Sequence, residues 1–190
     1  LWVRVNPMTG PWFEEDLEAV MAAGPGGIML PKCASPRDVE ALSISLGVLE
    51  RDHGLATGST KILPLVTETP AALFTLGGYA EHGERLAALT WGAEDLGAAV
   101  GATEVRDGFG GWTPPFQMVR NLCLFAAHAA DVTAIDTIHA DFRDLEGLVD
   151  ACAEARRDGF SGKLAIHPGQ VEIINNSFQP TPEEVERAQR

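Results

Sequence analysis

The feature that most constrains this chain is an alternation: short apolar runs recur between longer amphipathic stretches along its whole 190 residues. Neighbouring parallel strands can be joined only by a crossover of about a dozen residues or more, which is most often a helix, so this pattern reads as repeated βα units feeding a parallel sheet. Six runs read as strands: Leu1 to Val5, Gly27 to Leu30, Ile62 to Val66, Leu86 to Trp91, Thr133 to Ile135 and Leu164 to Ile166. Helices are expected between them. Phe13 to Ala23 stops at Gly24-Pro25-Gly26, and Pro36 to Asp52 starts from Ser35 as N-cap, with Pro36 at its first position and Asp38 in its first turn. Further helices are expected over Pro70 to Leu76, Pro115 to Ala130, Arg143 to Asp158 (ended by Gly159), Gln170 to Asn175 and Pro182 to Arg190, the last capped by Thr181. Gly101 to Pro115, with Gly108-Phe109-Gly110-Gly111, is long enough to act as a flap or binding loop.

Six βα units fit either an open doubly wound sheet or an α/β (β/α)8 TIM barrel with two units missing. The turn after the first strand, NPMTGP, has no GxGxxG, so the barrel is the better fit. Residues 1–190 form one domain in this reading, with enough apolar residues (45%) for a sizeable core.

Charge narrows the partners. Fourteen Lys and Arg against 27 Asp and Glu leave a formal charge of −13, which argues against a nucleic-acid or anionic membrane surface. An anionic ligand therefore needs a local cationic site. Cys33, Cys123 and Cys152 are odd in number, widely spaced and without CxxC, which suggests neither a disulfide framework nor zinc, and a cytoplasmic setting is expected. No apolar run approaches the roughly 18 residues of a membrane span.

In a barrel the reactive groups sit at the C-terminal ends of the strands. Here those ends read Arg4-Val5-Asn6-Pro7, Pro31-Lys32, Thr67-Glu68-Thr69, Gly92-Ala93-Glu94-Asp95, Asp136-Thr137 and His167-Pro168, each with a polar or charged side chain. Glu68 and Asp95 lie 27 positions apart, about one βα unit, which would set their carboxylates side by side on adjacent strands. Two carboxylates with waters and substrate oxygens make the sparse oxygen site that Mg²⁺ prefers, and no His or Cys nearby competes for zinc. The competing reading is that Asp95 caps a helix from Leu96 onward and Glu68 opens the helix at Pro70. Arg4 either offers a guanidinium fork to a carboxylate or enolate, or lies along the outside of its strand. Lys32 is either an anion contact or a surface lysine, and His167 either packs at a strand end or touches ligand. Trp91 reads as core and Trp112 as loop cover, while nothing beside Cys33 suggests a nucleophile.

Taken together, VRVNP, GIMLPK, LPLVTET, LTWGAEDLGAAVG, AIDTIHADFRDLEGL and GFSGKLAIHPGQVEIINNSFQPT resemble the citrate lyase beta subunit and malyl-CoA lyase family of the HpcH/HpaI aldolase superfamily. The likeness runs in order over almost the whole chain. It implies a TIM barrel that makes or breaks a carbon–carbon bond between an acyl-CoA and a 2-oxo acid with Mg²⁺, or Mn²⁺ in its place. Glu68 and Asp95 correspond to the metal ligands and catalytic acids, and Arg4 to the catalytic, substrate-binding arginine. Asn6, Lys32, Asp136 and His167 are the further substrate-binding candidates. Members carry two more βα units before the first strand here and a C-terminal extension after the last helix, so the first two units and that extension are expected to be lacking.

The function so implied is retro-Claisen cleavage, or formation, of a malyl-, methylmalyl-, citramalyl- or citryl-CoA. Its partners would be an acyl-CoA thioester and glyoxylate, pyruvate or oxaloacetate, in a homotrimer or homohexamer. The residues leave open three alternatives: a pyruvate-type class II aldolase without CoA, a citrate lyase subunit acting on an acyl-carrier protein thioester, and a non-catalytic acyl-CoA binder.

Overall fold

A computed structural model describes residues 1–81 and 83–189. They divide into two compact units, Leu1–Ala134 and Ile135–Arg190. In the first, β1 (Trp2–Arg4), β2 (Gly27–Leu30) and β3 (Lys61–Pro64) pair in parallel in that order. Val3 lies opposite Ile28, and Ile28 opposite Ile62. Parallel bridges at Ile62–Leu86 and Leu65–Thr90 carry the ladder on to β4 (Ala88–Thr90). The close fit of β1 on β2 requires Gly27, because a Cβ there would lie 2.3 Å from the Trp2 ring.

Helices α1 (Phe13–Met21) and α2 (Pro36–Asp52) are built on a 3.6-residue period. Phe13, Leu17 and Met21 of α1, and Val39, Leu42 and Leu46 of α2, are buried, at about 1.5–3 kcal/mol for each large side chain. The carboxylate of Asp38 accepts the main-chain N–H groups of Ala34 (2.7 Å) and Ser35 (3.3 Å), which fixes the start of α2 where Ser35-Pro36 places it. After β3 the expected helix over Pro70 to Leu76 is instead a 3-10 helical stretch reaching Glu81. Within that stretch Gly78 passes so close to α2 that a Cβ would sit 3.1 Å from Pro36 Cγ. Next come α3 (Glu94–Val100) and α4 (Pro114–Ala129), the latter burying Phe116, Val119 and Cys123.

Strand β5 (Thr133–Asp136) crosses the boundary between the units. In the second unit its end pairs in parallel with β6, which is Gly162–Lys163 and not the apolar run Leu164 to Ile166. The ladder gives out after Leu164 N–H meets Asp136 C=O (3.0 Å), because Ile166 N–H turns to the side chain of Gln170 (2.9 Å). Helices α5 (Leu145–Asp158) and α6 (Pro168–Phe178) pack around Leu148, Cys152 and Ile174. Gly159 ends α5 at φ 110°. Helix α7 (Pro182–Ala188) opens on a reciprocal box: Glu184 N–H donates to Thr181 Oγ1 (3.2 Å), and Thr181 N–H donates to the Glu184 carboxylate (2.7 Å). The expected end of this helix at Arg190 lies outside the described residues. No described helix is long and apolar enough to cross a membrane, and Cys33, Cys123 and Cys152 are buried and outside any disulfide among the described residues.

A buried polar tie in the first unit joins Glu50 to Arg85. Nη1 and Nη2 of Arg85 reach the two carboxylate oxygens at 2.6 and 2.7 Å, and the N–H groups of Thr60 and Gly58 donate to the same carboxylate. Both side chains are buried. The Arg85 fork, aided by the two N–H donors and opposed by burial, lowers the Glu50 pKa to about 2. A carboxylate with a depressed pKa adds stability above its unfolded value, and that stability is lost as pH falls from about 4.3 toward 2. Glu50→Ala, which strands a buried guanidinium, should lower unfolding free energy by about 3–5 kcal/mol at pH 7. In urea titrations its stability should also fall less between pH 5 and 2 than that of the parent protein.

Candidate metal centre

The ends of β2, β3 and β4 meet through main-chain contacts that their sequences fix. Val66 N–H donates to Thr90 C=O (3.0 Å) and Cys33 N–H to Leu65 C=O (3.2 Å). Beyond the strands, the buried Thr67 hydroxyl accepts from Gly92 N–H (3.0 Å) and donates to Gly92 C=O (3.4 Å). This reciprocal pair sets the residues that follow, Glu68 and the start of α3, beside each other. Gly92 also leaves room for the acid: a Cβ there would lie 3.3 Å from Glu68 Cγ.

Glu68 is almost wholly buried, at 4% exposure. One of its oxygens accepts the main-chain N–H of Lys32. Burial is the largest influence on its carboxyl and raises the pKa; the Lys32 N–H opposes this, the negative charge of Asp95 adds to it, Arg4 opposes it, and a hydrogen bond shared with Asp95 adds further. The two carboxyls are thus near enough for Asp95 to act on Glu68 through both its charge and its side chain, and both meet Lys32, Glu68 at the main-chain N–H and Asp95 at Nζ. Asp95 does not cap its helix, whose N-cap is Ala93 without a side-chain hydrogen bond. Its Oδ1 instead lies 3.1 Å from Lys32 Nζ, both side chains being nearly half exposed. The exposed Glu94 takes no part.

This donor set fits a hard dication. It offers oxygen alone, it is open on one side, and its buried acid faces a second acid whose charge a cation would offset. Among the described residues no group of three His, Cys, Asp or Glu gathers as a fuller cage would need. Two carboxylates suit an ion that keeps several waters better than they suit zinc.

Arg4 acts on Glu68 through its charge and lines an open cavity of about 530 Å³ with Asn6, Asp16 and Pro31. The main-chain N–H and side-chain amide of Asn6 both donate to Asp16 Oδ2, at 2.8 and 2.9 Å, tying the end of β1 to α1. Asp136 and His167 belong to the second unit and carry structural contacts there. Asp136 forms a buried ion pair with Lys163 at 2.7 Å. His167 caps α6, accepting Gly169 N–H at Nδ1 (3.0 Å), and stacks on Phe142 with ring centroids 4.7 Å apart. Trp91 is core as expected. The Trp91 and Trp112 rings meet at a steep angle with centroids 4.8 Å apart, and Arg106 lies 3.3 Å over the Trp112 ring, so the 101–115 loop is pinned to the first unit. Burial pushes the Cys33 thiol up to about 12, beside the Tyr79 hydroxyl, which disfavours the thiolate that nucleophilic attack requires. The sequence reading overlooked the Thr67–Gly92 pair and the main-chain donor of Lys32; the glycine directly after the fourth apolar run was the available signal.

The raised pKa of Glu68 has a thermodynamic consequence. Its contribution to stability is complete below the ordinary carboxylate pKa and is lost as pH rises through the elevated folded value. In chelator at neutral pH, Glu68→Gln should therefore melt higher than the parent protein, with the difference closing as pH approaches about 4. A lower or unchanged melting temperature would contradict this electrostatic account.

Comparison with known proteins agrees with the resemblance read from the motifs. A family model described as HpcH/HpaI aldolase/citrate lyase matches residues 1–168. A (3S)-malyl-CoA thioesterase of Cereibacter sphaeroides is 36% identical over 190 residues, covering 99% of this chain and 60% of its own length. The mitochondrial citramalyl-CoA lyase of Rattus norvegicus is 32% identical over 197 residues, covering 98% of this chain and 56% of its own length. This chain thus spans about 60% of the curated relatives it matches. The structure of the citrate lyase beta subunit from M. tuberculosis complexed with oxaloacetate and magnesium superposes with a TM-score of 0.77 at 29% identity, over 94% of this chain and 73% of that one. With a family model matching most of its length and two relatives above 30% identity, the chain belongs to the HpcH/HpaI aldolase/citrate lyase family.

Proposed function

We propose that Glu68 and Asp95 hold Mg²⁺ in a carbon–carbon lyase that cleaves or forms a 3-hydroxyacyl-CoA, of the malyl-, methylmalyl-, citramalyl- or citryl-CoA type. The products of cleavage are an acyl-CoA and a 2-oxo acid. The observation that carries this reading is that the buried Glu68 and the half-exposed Asp95 both meet Lys32, one at its main-chain N–H and the other at its Nζ, within reach of the Arg4 charge. The magnesium and oxaloacetate held by the M. tuberculosis relative, and the acyl-CoA substrates in the names of the other two, support it. The parallel β/α order supports a place for this chain in a (β/α)8 barrel, residues 1–190 belonging to one lyase domain. The family likeness supports a homotrimer or homohexamer.

The residues divide the work by their chemistry. Bound Mg²⁺ supplies Lewis-acid polarisation of the 2-oxo acid's oxygens and eases loss of the hydroxyl proton. Glu68, nearly buried and braced by the Lys32 N–H, fixes the depth of the centre, while Asp95 stands at its open side. Cleavage breaks the bond between the hydroxyl-bearing carbon and the thioester's α-carbon. The electron pair of that bond passes to the thioester as an enolate while the hydroxyl oxygen, its proton given to solvent, becomes the carbonyl of the 2-oxo acid; a proton from solvent at the α-carbon then converts the enolate to the acyl-CoA. Arg4 opposes that developing negative charge with a fixed positive one, a contribution often worth about 10²-fold or more in turnover.

Glu68→Ala and Asp95→Ala should remain folded yet lose Mg²⁺-dependent release of glyoxylate or pyruvate from malyl-CoA and citramalyl-CoA. Arg4→Met should lose about 10²-fold in turnover with metal affinity largely kept. Full activity of both alanine variants in chelator would overturn the reading. The name of the 36% identical relative favours a second reaction, thioester hydrolysis. The two separate by product: hydrolysis frees the CoA thiol, whereas carbon–carbon cleavage leaves the thioester intact.

A further inference from the structure

Lys32 touches both acids of the centre, and it does so with different atoms. Its main-chain N–H donates to Glu68, and its Nζ lies 3.1 Å from Asp95 Oδ1. Its backbone has φ 52°, a conformation that Cβ disfavours and glycine adopts freely. Among the described residues only Asp131, at φ 54°, shares that departure outside glycine. Glycine at position 32 would present the same N–H to Glu68 without strain. The main-chain contact therefore does not account for a lysine at this position. What glycine lacks is the ammonium group, and the ammonium is what neutralises Asp95.

The exposures of the partners fit a group that comes and goes. Glu68 is nearly buried, whereas the Lys32 and Asp95 side chains are 47% and 43% exposed. Breaking a half-exposed ion pair costs little, since water takes up both charges. Two neighbouring acids need a positive charge beside them, and a lone ammonium supplies half that of a dication.

We propose that Lys32 is a placeholder cation: its ammonium occupies the Asp95 side of the centre in the metal-free protein and is displaced when a divalent cation binds. The inference rests on the metal reading above. It makes Lys32 a competitor of the metal as well as a brace for its ligands, so removing the charge while keeping the backbone should tighten metal binding.

The test is Mg²⁺ titration by calorimetry, at fixed pH, of the metal-free parent protein, Lys32→Met and Lys32→Arg. Methionine has a similar length and bears the same backbone cost, so it isolates the charge. Lys32→Met should bind Mg²⁺ about three- to tenfold more tightly than the parent, and Lys32→Arg within about twofold of it. Equal or weaker binding by Lys32→Met would overturn the proposal, because it would make the lysine a brace alone. Should the methionine variant fail to fold, Lys32→Gly suits φ 52° and carries the same expectation. Absence of Mg²⁺ binding by the parent protein would overturn the metal reading itself, an outcome distinct from failure of the placeholder.

Discussion

Two acids, Glu68 and Asp95, are held near each other at the end of a parallel ladder, and the surrounding structure is arranged to keep them there. Left alone, Glu68 and Asp95 would separate or protonate. They stay together because Thr67 and Gly92 exchange a pair of hydrogen bonds across the ends of β3 and β4, inside a ladder whose register is already set by Ile28, Ile62 and Leu86. The absence of a Cβ at Gly92 gives Glu68 its space. The burial that makes this proximity costly also makes it useful, since a poorly solvated acid facing a second acid favours a bound dication.

The chain is strongly acidic, yet its few cations are placed with evident division of labour. Arg85 and Lys163 are spent inside the protein on Glu50 and Asp136, where ion pairs tie α2 to the segment before β4 and β5 to β6. Arg4 and Lys32 stand instead at strand ends and act on the candidate centre. A formal charge of −13 leaves such local cations as the source of attraction for any anionic ligand.

Sequence periodicity was most informative where local chemistry and packing agree. Helix α2 runs over Pro36–Asp52 as read, because Ser35-Pro36 with Asp38 marks its start and its apolar stripe faces the core. It was least informative where an apolar run ends without a turn signal. The last strand lies two residues earlier than the run Leu164 to Ile166, since a neighbour's carbonyl positions decide where a ladder stops.

The same division holds at the site. By itself the sequence determined that acids, an arginine and a lysine fall at the ends of parallel strands, because strand spacing in a βα repeat is a local property, and its ordered motifs determined the family. Which of those side chains meet was decided only by the tertiary structure. It joined Glu68, Asp95 and Lys32, committed Asp136 to Lys163, tied Asn6 to Asp16, and used His167 to cap α6. The physical reason is that contact depends on register, on a missing Cβ and on a positive φ, each fixed by packing between segments distant in the chain.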